Sequence, residues 1–297
     1  FVFTEDYNVY KCISNNGGTA STVKPVSDSI DIIETADGYR WKFMYEVQQA
    51  DVLKYVTSDW IPVKYLTAND STAQWDVQQA AVGGALEHIA VTAGGAGYYS
   101  CIGTAQAGST SNTIKLDAAT SSAVDDYYNN MTVYITSGAG AGELKTITDY
   151  VGATRIATIS TNWTNVPTDT SVFQVMPAVN VASSTGSGAD YRVSAVAAGA
   201  ITKVTSVTRG TNYRDAIATV TSGAGSSCIL KPMISPTNGH GKDAVTELGG
   251  AKVMLNTRLI GLDGSVFPIN DDFRKVHLIV NPKLFAAGNA LATATYY

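Results

Sequence analysis

The side chains that most often carry chemistry are sparse in this chain and do not cluster. His88, His240 and His277 lie far apart, with neither HxxH nor HExxH spacing, so no zinc site or histidine-activated nucleophile can be assembled along the sequence. Cys12, Cys101 and Cys228 form no CxxC pair, and an odd count fits small buried hydrophobes in a reducing compartment better than a disulfide framework. Gly239-His240-Gly241-Lys242 has the outline of a phosphate-binding loop. Pro236, however, stands where that motif needs its first glycine, and Asp243 replaces the hydroxyl that would hold magnesium, which leaves a turn ahead of a helix. The run from Ser137 to Gly142 lacks GxGxxG spacing and has no helix behind it, so dinucleotide binding fails on context. The acidic pairs Asp125-Asp126 and Asp271-Asp272 have the residue types for calcium binding or glycoside hydrolysis. Adjacent carboxylates in a strand point to opposite faces, so solvated turn residues are expected. No catalytic residue, metal ligand or cofactor site is assigned, and the expectation is a protein that is not an enzyme.

Composition narrows the partners. Lys and Arg number 20 against 25 Asp and Glu, and a sequence pI near 5.2 without a basic run gives no surface for phosphate contacts, so no nucleic acid is expected. Charged residues are only 15% of the chain, while 24 Ser and 34 Thr take over surface that charge usually covers, a balance typical of strands and turns. The apolar stretches, such as 195–201, are far shorter than the ~18 residues of a membrane span, and no signal-peptide pattern opens the sequence. A soluble chain with no membrane partner is expected.

The elements that would position functional side chains fall into distinct regions. Of the 27 Gly, 21 lie between positions 81 and 250, whereas Trp41, Trp60 and Trp75 lie within the first 80. The glycine-rich stretch reads as a separate β unit of short strands and tight turns. In the flanks, Tyr39, Trp41, Phe43, Tyr45 and Val47 alternate with Arg40, Lys42, Met44 and Glu46, which predicts a strand with one aromatic face. Asp37-Gly38 supplies a hairpin turn before it, and Ile30 to Ile33 is its expected partner. Phe273 to Val280 reads as another strand, ended by Asn281-Pro282. Short helices are predicted over 243–248, stopped by Gly249, and over 71–81, capped by Asp70.

The glycine-rich region also repeats itself. Val91-Thr92-Ala93-Gly94 followed by Tyr98 resembles Val207-Thr208-Arg209-Gly210 followed by Tyr213. The second copy runs directly into 217–220 and Ser222-Gly223-Ala224-Gly225. In the first, the matching 179–181 and Gly186-Ser187-Gly188-Ala189 come only after an intervening stretch, which predicts a β module at about 105–178 nested inside the repeat. Its strands are expected at 132–136, 144–149, 155–160 and 171–175.

Several blocks resemble one family. Val9-Tyr10-Lys11-Cys12, Ser21-Thr22-Val23-Lys24-Pro25, the stretch from Asp37-Gly38-Tyr39 through Trp41 to Tyr45, and Ile61-Pro62-Val63 come in the order found in the baseplate wedge protein (gene product 8) family of T-even-like contractile-tailed phages. Gly239-His240-Gly241, Phe273-Arg274 and Asn281-Pro282 extend the resemblance, and the central module is similar to β modules of phage tail proteins. The resemblance implies a mainly β (α+β), two-part protein with one domain inserted into a loop of the other. This agrees with the composition shift and the interrupted repeat, which give a discontinuous flanking domain, 1–86 and 242–297, around an inserted Gly-rich β domain, 87–241, that carries the nested module. Because the family has further sequence on both sides, it also implies that this chain is a core fragment. It implies a homodimeric structural subunit of the virion, assembled in the host cytoplasm into the tail baseplate, contacting other wedge proteins and having no enzymatic role. A glycan-binding tail fibre or adhesin module is the alternative, with a depolymerase or glycosidase behind it.

Overall fold

The computed structural model describes residues 1–256 and the strand at 278–280. Phe273, Arg274, Asn281, Pro282 and the Asp271-Asp272 pair lie outside the described residues. The protein is mainly β and divides into two compact units, one of Phe1–Ala81 with the chain from His240 onward, the other of Val82–Gly239. The crossings lie close to the compositional boundaries at 86/87 and 241/242.

Unit 1 opens with β1 (Val2–Phe3), β2 (Asn8–Ser14), β3 (Ile33–Glu34) and β4 (Arg40–Glu46), an antiparallel sheet in the order β1-β2-β4-β3. β4 does not present the single aromatic face that its alternation predicts. β2 sets Val9 opposite Tyr45 but Tyr10 opposite Phe43, a bulge that leaves Met44 as the extra residue and turns the strand over. Trp41 and Phe43 therefore pack with Tyr10 and Val77, whereas Met44, Tyr45 and Val47 pack with Val9 and Ala244 in a second core. The expected partner strand at 30–33 shortens to Ile33–Glu34, because the buried Lys42 ammonium takes the Ile30 carbonyl that a longer ladder would need.

Two helices follow, α1 (Gln49–Tyr55) and α2 (Ala73–Ala80). α1 has no strong cue in the sequence and buries no residue completely. In α2 the N-cap position belongs to Thr72, and Asp70 caps the preceding turn instead, accepting from Thr72 N at 3.2 Å and Thr72 Oγ1 at 2.6 Å. Gln78, buried on α2, holds Leu66 through its backbone N and O, each at 3.1 Å.

Unit 2 begins with β5 (Leu86–Ala96) and then the nested module: β6 (Cys101–Thr104), β7 (Thr113–Lys115), β8 (Thr132–Ser137), β9 (Leu144–Val151), β10 (Ile156–Ile159) and β11 (Val172–Met176). These six form one sheet in the order β6-β11-β8-β9-β10-β7 around their own core, with Ile114, Met131, Ile135, Ile147 and Phe173 fully buried. The module limits shift from the expected 105–178 to 101–176. The shift arises because β6 is needed as the partner of β11, Cys101 opposite Val175 and Thr104 opposite Val172, so its two ends are neighbouring strands.

The rest of unit 2 is β12 (Val179–Ala182), β13 (Ser187–Ala197), β14 (Ala200–Thr211), β15 (Ile217–Val220) and β16 (Ser226–Ile234), which share a second core with β5. β5 pairs with β16, β12 with β15, and β13 with β14. The repeat is present with its alignment shifted by one residue: Gly210 corresponds to Gly95 and not to Gly94, since Gly95 and Gly210 share positive φ (65° and 60°) and an approach to backbone atoms that no Cβ could make.

The chain returns to unit 1 through α3 (Ala244–Leu248). Asp243 caps it by accepting from Thr246 N at 3.1 Å, and left-handed Gly249 ends it, as expected. β17 (Lys252–Met254) then pairs antiparallel with β18 (Leu278–Val280). Cys101 is buried, and Cys12 and Cys228 are partly so; all three are free thiols.

Candidate functional site

The motif residues of unit 1 meet around two carboxylates. Asp37 sits in the turn between β3 and β4, closed by Gly38 N donating to Thr35 O at 2.9 Å. Its Oδ1 accepts from Thr35 Oγ1 at 2.5 Å, and its Oδ2 from Ser21 Oγ at 2.7 Å, Thr22 N at 2.8 Å and Val23 N at 3.0 Å. The hydrogen bond from Thr35, followed by those from Ser21, Thr22 and Val23, outweighs desolvation and holds the carboxyl well below the usual range. Gly38 is required beside it: φ is 80°, and a Cβ would lie 2.8 Å from the Asn16 side chain, which donates to Asp37 O. Tyr39 donates to Thr19 O and stacks on Trp41 with centroids 5.4 Å apart. Asp37, Gly38, Tyr39 and Trp41 thus fasten the irregular segment around 16–25 to the sheet edge.

The second carboxylate is Glu247 on α3. It accepts from Lys11 Nζ of β2 at 2.5 Å and from Gly241 N at 2.8 Å, and it bonds His240 Nδ1. Burial alone would raise its pKa, but the contacts with His240, Gly241 and Lys11 prevail and lower it to about 2. Gly241 (φ 82°) lies against Val77, where a Cβ would come within 2.3 Å of Val77 Cγ1. Gly239 belongs to unit 2, where it abuts the Val82 backbone. The predicted residues therefore fall into two groups, Asp37-Gly38-Tyr39-Trp41 at one hub and His240-Gly241 at the other. Sequence reasoning passed over Glu247. The available signal was a single acidic residue on a short helix beside a Gly-His-Gly turn, too common a pattern to stand out.

Both carboxylates spend their acceptor capacity on neighbours of the same unit, so the arrangement organises backbone. Among the described residues no group of three or more His, Cys, Asp or Glu is placed to hold a metal ion. Asp125 accepts from Gly152 N, in the turn after β9, at 2.8 Å and Asp126 from Asn129 Nδ2 of its own loop at 2.7 Å. No described helix is long and apolar enough to cross a membrane.

Unit 1 also carries large apolar side chains at its surface. Leu53 of α1 is 89% exposed and Leu255 57%, with Trp60, Ile61 and Tyr65 also exposed. Two contacts gather several of these: Asn256 Nδ2 donates to Lys54 O at 3.1 Å, and Lys252 Nζ lies 4.1 Å from the Trp60 ring centroid. Comparison of the chain with protein-family models, curated proteins and solved structures returned no match.

Proposed function

We propose that this protein is a structural subunit of a contractile phage tail baseplate wedge, a homodimer that holds neighbouring wedge proteins through protein–protein interfaces. The observation that carries the proposal is that the separate sequence blocks resembling the wedge family are one another's partners in unit 1. Asp37 of the third block binds Ser21, Thr22 and Val23 of the second. Lys11 of the first is joined through Glu247 to His240 and Gly241 of the C-terminal block. Motifs that come together in this way define one folded unit rather than scattered coincidences. The exposed apolar side chains at Leu53, Trp60, Ile61 and Leu255 supply surface suited to a protein partner.

The role is mechanical: wedge contacts are held in one arrangement and repacked when the tail contracts, with no chemistry at the carboxylates. Mass spectrometry of purified tail particles from the source phage should find the chain in fixed stoichiometry with wedge proteins. Leu53→Glu with Leu255→Glu should leave a folded chain that no longer enters particles. Tail particles that contain wedge proteins but lack this chain would overturn the assignment.

A further inference from the structure

The two repeats of unit 2 obey a two-fold relation through most of their ladders, which departs by one residue near the 198–199 turn, where Ala195 and not Ser194 faces Lys203 while Met233 faces His88. One repeat comprises β5, Tyr98, β12 and β13, and the other β14, Tyr213, β15 and β16. In the β5/β16 ladder Ala96, Gly94, Ala93 and Val91 face Ser226, Cys228, Ile229 and Leu230. In the β14/β13 ladder Thr211, Arg209, Thr208 and Ser206 face Ser187, Ala189, Asp190 and Tyr191, with the bulge at the equivalent step. β12 and β15 cross at their own midpoint, Asn180 opposite Thr219, flanked by Val179 opposite Val220 and Val181 opposite Ala218. Side chains follow the same rule. The Tyr98 ring occupies the space over Gly225 and the Tyr213 ring that over Gly186, and in each case a Cβ on the glycine would lie 2.3 Å from the ring Cγ. Tyr98 N donates to Gly199 O and Tyr213 N to Gly84 O, both at 2.9 Å.

All three ladders run between the repeats, so neither repeat has a ladder of its own. The only covalent crossing between them is the two-residue turn Ala198-Gly199, where Ala198 is held at φ 50°, a conformation its Cβ disfavours.

We infer that the core of unit 2 is an interface which a second copy of this chain can close. With the turn at 198–199 extended, the first repeat of one chain and the second repeat of another remake all three ladders and both tyrosine–glycine contacts, and Ala198 leaves its left-handed conformation. Domain exchange of this kind loses almost no contacts, because each intrachain contact has an interchain equivalent. The exchanged halves are 1–198 and 199–297. Gly239 and the Val82 backbone abut, so the segments that enter and leave unit 2 stay together in the exchanged form. The inference rests on the register alone and is independent of the proposed role.

Deleting Ala198 and Gly199 from the full chain tests it. Ala197 and Ala200 are directly paired and need a two-residue loop to close as a hairpin. The deletion variant should form a folded dimer of twice the 31.2 kDa chain mass by light scattering, and it should stay dimeric at dilutions where the intact chain is a monomer. Adding Ser187→Cys and Thr211→Cys, which are opposed across β13 and β14, should give a disulfide between chains in the deletion background and, when the turn is intact, within the chain in dilute protein with a share between chains that rises with concentration. A folded monomeric deletion variant, or an intrachain disulfide in it, overturns the inference. Should the deletion fail to fold, the double-cysteine chain with its turn intact is refolded oxidatively at low and high protein concentration, and the 187–211 disulfide is located by mass mapping. Interchain linkage that grows with concentration supports exchange, and exclusively intrachain linkage at both concentrations overturns it.

Discussion

In unit 1 the polar contacts that join distant segments centre on two carboxylates: Lys11 reaches Glu247, and Asp37 reaches Ser21. In unit 2 the two repeats are keyed together by tyrosine on glycine, Tyr98 on Gly225 and Tyr213 on Gly186, beside the Glu87–Arg209 ion pair. The difference follows from what each fold must satisfy. Unit 1 carries irregular segments whose backbone N–H groups have no ladder, and a carboxylate can accept several of them at once. In unit 2 the repeat strands pair with one another along long ladders, so their backbone is already paired, and what remains is to fill space where two strands approach. Carboxylates serve the first need and shape the second, which predicts that acid is felt at the Glu247 hub and added volume at the tyrosine–glycine contacts.

The largest effect is expected in the unit 1 cores. Trp41 is 4% exposed, and Trp41→Ala should cost about 3–5 kcal/mol in denaturant unfolding. A loss below about 1 kcal/mol would mean that the Tyr39–Trp41 face packs against nothing. Next comes the Glu247 hub. Its folded pKa of about 2 lies below the ordinary 4.5, so the stability it contributes is complete above about pH 4.5 and disappears as the pH falls toward 2. Glu247→Gln should therefore cost about 2–3 kcal/mol at neutral pH and almost nothing near pH 2. A cost that is constant across that window would assign the residue a packing role only.

Where the two repeats of unit 2 meet, the response should be to added volume. Gly225→Ala and Gly186→Ala should each cost about 1–3 kcal/mol, and similar amounts, because both place a methyl group in a tyrosine ring. Combining Gly225→Ala with Tyr98→Ala should cost less than the sum of the two single changes, and strict additivity would show that ring and glycine are not in contact.

The smallest effect is expected from removing the nested module. In the second repeat Tyr213 is joined to Ile217 by only Arg214-Asp215-Ala216, whereas in the first the whole module stands at that place. Deleting 99–174 leaves Val175-Met176-Pro177 as an equivalent link from Tyr98 to Ala178. Unit 1 should change by less than about 1 kcal/mol, since module excision alters mainly a loop closure. Failure of unit 1 to fold would mean that the module is not a self-contained insertion.

The sequence by itself determined the features that rest on local chemistry and composition. These include the β-rich class, the glycine-rich insertion, the module strands near 132, 144, 156 and 172, and α3 with its Asp243 cap and Gly249 stop. Each depends on residues within a few positions of one another, where alternation, capping and turn chemistry act directly. Only the tertiary structure decided that a bulge at Met44 splits the aromatic strand between two cores, because a bulge is set by the partner strand's register and leaves no mark on the alternation itself. The same holds for Glu247 as the meeting point of Lys11, His240 and Gly241, and for the pairing of every repeat strand with the other repeat. Those facts are contacts between distant segments, and a linear pattern encodes the capacity to make such contacts without specifying the partner.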